Sequence, residues 1–155
     1  MQEFYNLTYK FNEIAGKLDN VTLHDCYKQL QLVQEELEET FHAYQVKDYE
    51  GLLDGAADLS VVVNGLVMML DKLGFNVQDA LIATAENNLS KFLDGKETTR
   101  ANASVKALAE QGVTTYLSYN PQYNVFVLKD ENNKIRKPVG FVSNSLIRFV
   151  PKEAV

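Results

Sequence analysis

Two groups of acids carry the chain's most distinctive chemistry. Glu35, Glu36 and Glu39 lie in QEELEET, and Asp54 and Asp58 lie in LLDGAADLS. At about 100° per residue, the three glutamates fall within one arc of a helix, opposite a face centred on Leu37. Asp54 and Asp58, four residues apart, stack one turn above the other. Their run, DGAADLSVVVNGLVMML, is otherwise apolar in nearly every direction, the pattern of a helix enclosed by protein. An ionised carboxylate in that setting must shift its pKa, pair with a base or coordinate a cation.

Each outcome has its candidates. Lys47, Lys72 and Lys91 are bases that could pair with the aspartates. Asp54 also suits a first helical turn, where the dipole favours an acid, whereas Asp58 sits too deep for that reason. If the two acidic runs form antiparallel helices joined through QVKDYEG, the five carboxylates face one another. Like charges so close need a counter-cation. Oxygen ligands alone select a hard ion, Mg²⁺ or Mn²⁺. His24 and His42 have no metal-ligand spacing with Cys26, which argues against zinc. Cys26 is the single cysteine, so no intrachain disulfide forms, and it reads as a small, partly buried side chain.

A hard cation on helical carboxylates suits phosphate chemistry: it polarises a phosphoryl oxygen and makes an attacking water more acidic. Asn87, Asn88 and Lys91 in ENNLSKF offer amides and an ammonium for a polyphosphate, with Asn88 and Lys91 on one helical face.

The elements that must position these residues follow from periodicity. Thr22 and Asp25 both offer caps for a helix to about Tyr44, whose Tyr27, Leu30, Val33, Leu37, Phe41 and Tyr44 step by three and four along one helical face. A second helix runs from about Tyr49 to Leu73 and stops at Gly74. Asn76 caps a third through VQDALIATAENNLSKFL, and ANASVKALAEQ forms a further one before Gly112. YNLTYKFNEIAGKL, near the N-terminus, is only roughly periodic but also helical. Beyond Gly112, VTTYLSY and YNVFVLK read as strands, DENNK as a turn, and IRKPVGF and SLIRFV as one or two more short strands. The expected architecture is mainly α: a four- or five-helix bundle over residues 1–111, with a small C-terminal β extension over residues 112–155.

Composition narrows the function. A net charge of −6 over 155 residues argues against a nucleic-acid partner. The N-terminus lacks a signal-peptide core, and the longest apolar stretch, broken by Asn64, Gly65 and Asp71, is expected to fall short of a membrane span. A cytoplasmic protein with no membrane partner is the expectation.

QEELEETFHAY, LLDGAADLSVVVNGL, LGFNVQDAL and NNLSKF together resemble the MazG-like all-α nucleoside triphosphate pyrophosphohydrolases, phage-type members above all, across residues 24–95. ENNKIRKPVGF is similar, more loosely, to a lysine-containing turn of those phage-type sequences. The resemblance implies an all-α NTP pyrophosphatase-like bundle that hydrolyses the α–β bond of (deoxy)nucleoside triphosphates with Mg²⁺, in a cytoplasm (the host's, if phage-encoded). It implies metal ligands at Glu36, Glu39 and Asp58, with Glu35 and Asp54 as a further ligand or water-orienting group. Asn88 and Lys91 match its phosphate- and nucleotide-facing positions, and a homodimer or homotetramer is implied. The sequence departs from the family at Gly55, where a glutamate is expected, while an acid stands next door at Asp54. That departure keeps two alternatives open: a non-enzymatic oligomeric scaffold on the same fold, and a hydrolase of a phosphoribosyl-nucleotide.

Overall fold

A computed structural model describes residues 2–152 of the chain. Its elements, in order, are α1 (Gln2–Ile14), α2 (Leu23–Val46), α3 (Tyr49–Lys72), α4 (Val77–Leu89), β1 (Leu93–Asp94), α5 (Thr98–Glu110), β2 (Thr115–Asn120) and β3 (Val125–Asp130), with a 3₁₀ turn at Ile147–Phe149. The fold is mainly α-helical with a small C-terminal sheet. It divides into two compact units, one of residues 2–77 and 149–152 and the other of residues 78–148.

The first unit is built on the α2–α3 pair. Thr22 caps α2 and closes a reciprocal box with Asp25, whose backbone N–H donates to the threonine hydroxyl at 3.3 Å. Lys47 ends α2 in the left-handed conformation, and Asp48 at once caps α3 by accepting from the Gly51 N–H at 3.0 Å. This abrupt connection turns the two helices back on each other. Leu18, Cys26, Met68 and Met69 form the core, with Tyr9, Val21 and Leu66 packed on it. Gly74, at φ +87°, ends α3 as its position in the sequence suggests.

Neither long helix is enclosed by the chain itself. The apolar stripe of α2 does not face the chain's core: Tyr27, Leu30, Leu37, Phe41 and Tyr44 are between 41% and 68% exposed. The helix instead packs on α3 through Cys26, Gln29 and Ala43, a face of smaller and polar side chains. Nor does the chain enclose α3, which buries Gly55, Gly65, Met68 and Met69 and leaves Leu53 and Val63 exposed. The helix is also long and apolar enough to cross a membrane by length and composition, contrary to expectation, because leucines and valines outweigh Asn64 and Gly65.

In the second unit the strands pair antiparallel in the order β1–β3–β2, with Leu93 opposite Phe126 and Tyr119 opposite the same residue on the other side. Helix α5 packs on β2 and β3, burying Ala101 and Ser104. Helix α4 stops at Leu89, short of the expected Leu93, because Leu93 is drawn into the sheet and buried there. The further strands expected in IRKPVGF and SLIRFV reduce to one bridge, Lys129 to Ile135, and the 3₁₀ turn. Pro138 cannot donate to a ladder, and the segment is tied down by other bonds. The DENNK turn forms around Asp130, which accepts from the N–H groups of Asn132 and Lys134, both at 2.9 Å.

Candidate functional site

The α2–α3 contact sets the position of the acids. Gln29 reaches across to donate its side-chain amide to the Val62 carbonyl at 2.8 Å. Three turns further along α2, Thr40 lies against Gly55 of α3. A β-carbon at Gly55 would stand 2.5 Å from the Thr40 hydroxyl oxygen and 3.2 Å from its Cα, so only glycine fits that approach. The Thr40 hydroxyl donates to the Glu36 carbonyl at 2.6 Å, which keeps it against its own helix. Asp54 and Asp58 flank Gly55 on α3, and Glu36 precedes Thr40 by one turn.

A cavity of about 490 Å³ opens between the two helices, lined among others by Glu36, Glu39, His42, Asp54 and Asp58. Glu36 is half-buried, and the other four acids read from the sequence are exposed. The Glu36 carboxyl is held above its ordinary 4.5, first by burial and then by the charges of Asp58, Glu39, Glu35 and Asp54 in that order. One carboxyl thus feels every acid of the set, from both helices. Glu35 contributes charge without lining the cavity.

Lysine pairing does not neutralise this group: among the described residues, none of the five acids is in an ion pair. Lys72 donates instead to the Tyr9 hydroxyl at 3.2 Å, and Lys91 to the Asn88 side-chain oxygen at 2.6 Å. Among the described residues, no three histidine, cysteine or acidic side chains converge as a metal-holding group. The donor chemistry nevertheless fits a hard divalent cation: the acids bring oxygens only, repel one another at Glu36, and sit on backbones fixed by the Thr40–Gly55 contact.

His42, read from the sequence only as unsuited to zinc, is exposed and lines the cavity. Its signal was present, since it follows Glu39 by three positions on the same side of the helix. Asp48 also lines the cavity, but one of its oxygens serves as the α3 cap.

Asn87, Asn88 and Lys91 belong to the second unit. Asn87 donates to the Val142 carbonyl at 2.8 Å and accepts from the Asn144 N–H at 3.3 Å, which holds segment 142–144. Asn88 and Lys91 are joined to each other. A larger cavity of about 690 Å³, beside Phe4, Tyr5 and Asn64 in the first unit, carries neither carboxylate nor cation in its wall.

Set against known proteins, the chain matches no family model, no curated protein and no solved structure.

Proposed function

We propose that the chain is a divalent-metal-dependent nucleotide pyrophosphohydrolase, cleaving the α–β phosphoanhydride of (deoxy)nucleoside triphosphates to monophosphate and pyrophosphate. The observation that carries this reading is the cavity between two packed helices lined by Glu36, Glu39, Asp54 and Asp58, where burial and the neighbouring acids push the Glu36 carboxyl up. The sequence resemblance points the same way.

Glu36, Glu39 and Asp58 would hold Mg²⁺ or Mn²⁺, with Asp54 as a further oxygen ligand. Such an ion, when bound, supplies Lewis acidity toward phosphoryl oxygens and lowers the pKa of water. Asp54 lines the cavity, where its carboxylate, if not itself a ligand, would orient the attacking water and take its proton, while Glu35, outside the wall, adds charge. The water oxygen bonds to the α-phosphorus, and the bridging oxygen leaves with pyrophosphate. No side chain becomes covalently attached.

The exposed stripe of α2 supports a homodimer or homotetramer. Tyr27, Leu30, Leu37, Phe41 and Tyr44 recur on one face at helical spacing, and a contiguous apolar face of that kind marks an association surface. A second copy covering it would also enclose the exposed side of the acidic helix.

A scaffold without chemistry is the second reading, favoured by Gly55, whose contact with Thr40 leaves no space for the glutamate of the resembled family. Pyrophosphate release from a panel of ribo- and deoxyribonucleoside triphosphates separates the two. The enzyme reading expects Mg²⁺-dependent release that falls by at least about a hundredfold in E39Q and in D58N, in line with the loss of a transition-state contact worth a few kcal/mol. Release unaffected by either substitution overturns the assigned residues, and no release with any nucleotide supports the scaffold.

A further inference from the structure

The second unit carries a cavity of about 480 Å³ whose wall is of opposite character to the acidic one. It runs from Lys91, just past α4, across α5 to segment 134–139. Lys91, Lys134, Arg136 and Lys137 line it, and no carboxylate does. In a chain of net charge −6, four cations around one concavity is a local reversal of sign.

The wall is fixed rather than adventitious. Asp130 is buried and takes the Arg136 guanidinium at 2.8 Å through Nε and 2.6 Å through a terminal nitrogen. Burial pushes the Asp130 carboxyl up, but the N–H groups of Lys134 and Asn132 and the Arg136 charge outweigh it and hold it below its ordinary 3.8. That pair fixes where segment 134–139 leaves β3. The segment is then pinned to α5: the Val139 N–H donates to the buried Ser104 hydroxyl at 2.9 Å, and Arg100 donates to the Val139 carbonyl at 2.8 Å. Pro138 is buried between these anchors.

Arg136 is largely neutralised by Asp130, so the free charge is that of the three lysines. Lys91 rests on the Asn88 amide, and Lys137 on the Ser143 hydroxyl at 3.3 Å and above the Phe141 ring at 5.1 Å. Among the described residues, none of the three is in an ion pair. Lys91 and Lys137 are thus held by neutral partners, and an ammonium outside an ion pair is available to an anion. Leu108 and Ile135 add apolar wall, and the size suits a small molecule.

We infer that this cavity binds the polyphosphate group of a small phosphorylated ligand, through Lys91, Lys134 and Lys137. The inference stands on the second unit by itself and needs neither a metal ion nor the acids of the first. Inorganic tripolyphosphate is the probe, titrated into the full chain by calorimetry with a chelator present. The expected result is binding at one site per chain that weakens by at least about tenfold in Lys134→Ala/Lys137→Ala, the scale of losing charge-assisted hydrogen bonds. Both lysines are exposed, and unchanged helical circular dichroism checks that the variant folds. The charge-reversed variant K134E/K137E is expected to abolish binding. Absence of binding at millimolar tripolyphosphate, or equal affinity in wild type and both variants, overturns the inference. A single-stranded oligodeoxynucleotide bound more tightly than tripolyphosphate also overturns it, because the ligand would then be a nucleic-acid backbone. Pyrophosphate release plays no part in the readout, so the enzymatic reading can fail without this one.

Discussion

Gly55 of α3 sits directly against Thr40 of α2, with space for a hydrogen and none for a methyl group. The closeness is a contact with backbone as well as side chain, so rotating Thr40 cannot relieve it. Gly55→Ala should therefore destabilise the chain by about 1–3 kcal/mol, overpacking outweighing a helix-propensity gain of up to about 1 kcal/mol. Urea unfolding monitored by circular dichroism checks the sign. A stabilised variant would mean that the helices are further apart than described.

Glu36 makes the metal-free protein pH-sensitive in a definite direction. Its folded-state carboxyl lies above the ordinary 4.5, so the stability tied to its neutral form is complete below that pH and is lost as pH rises through the folded value. Glu36→Gln keeps a neutral side chain throughout. Relative to wild type, the variant should gain thermal stability between pH 4 and pH 7 in the presence of a chelator. Saturating Mg²⁺ should reverse the order at pH 7, since a ligand-bound folded state is stabilised by mass action. Parallel melting curves at the two pH values would contradict the cluster.

The α2 stripe makes the chain's association testable without reference to catalysis. Leu30→Glu together with Phe41→Glu places charges on the exposed apolar face. Wild type is expected to sediment at a multiple of 17.5 kDa and the double variant at that mass. Both positions are solvent-exposed within one chain, so helicity should be retained. A wild-type chain that is monomeric at micromolar concentration removes this interface.

Asp130 organises the turn after β3, and its effect has the opposite pH sign to that of Glu36. Its folded carboxyl lies below 3.8, so its contribution is present above that value and is lost as pH falls through the lowered one. Asp130→Asn should lower the melting temperature at pH 7, with the gap to wild type closing under strongly acidic conditions. It should also weaken tripolyphosphate binding, because Arg136 and segment 134–139 lose their anchor.

Much of this was legible in the sequence, and the exceptions have physical causes. Capping residues and punctuating glycines located α2 and α3 closely, since those signals act within a turn of chain, whereas α5 starts at Thr98, three residues before the expected Ala101, with no side-chain cap to mark it. The face that α2 uses was not legible: a stripe such as Leu30, Leu37 and Phe41 has the same periodicity whether it packs inside one chain or remains exposed. Helix α4 ended early because Leu93 found a strand partner in Phe126, a contact more than thirty residues away that no local pattern encodes. Among the acids, spacing on each helix brought Glu36 together with Asp54 and Asp58, because an abrupt turn at Lys47 and Asp48 leaves antiparallel helices little choice of register. Gly55 read as a missing acid, and the reason for it, Thr40, lies on the neighbouring helix.

The most direct test is calorimetric titration of the metal-free chain with Mn²⁺, in wild type, E39Q and D58N. The account expects wild-type uptake at sub-millimolar concentration, weakened by at least about tenfold when either carboxylate is replaced by its amide. Silent titration of the wild type at millimolar Mn²⁺, or three indistinguishable isotherms, would contradict a shared ion between α2 and α3.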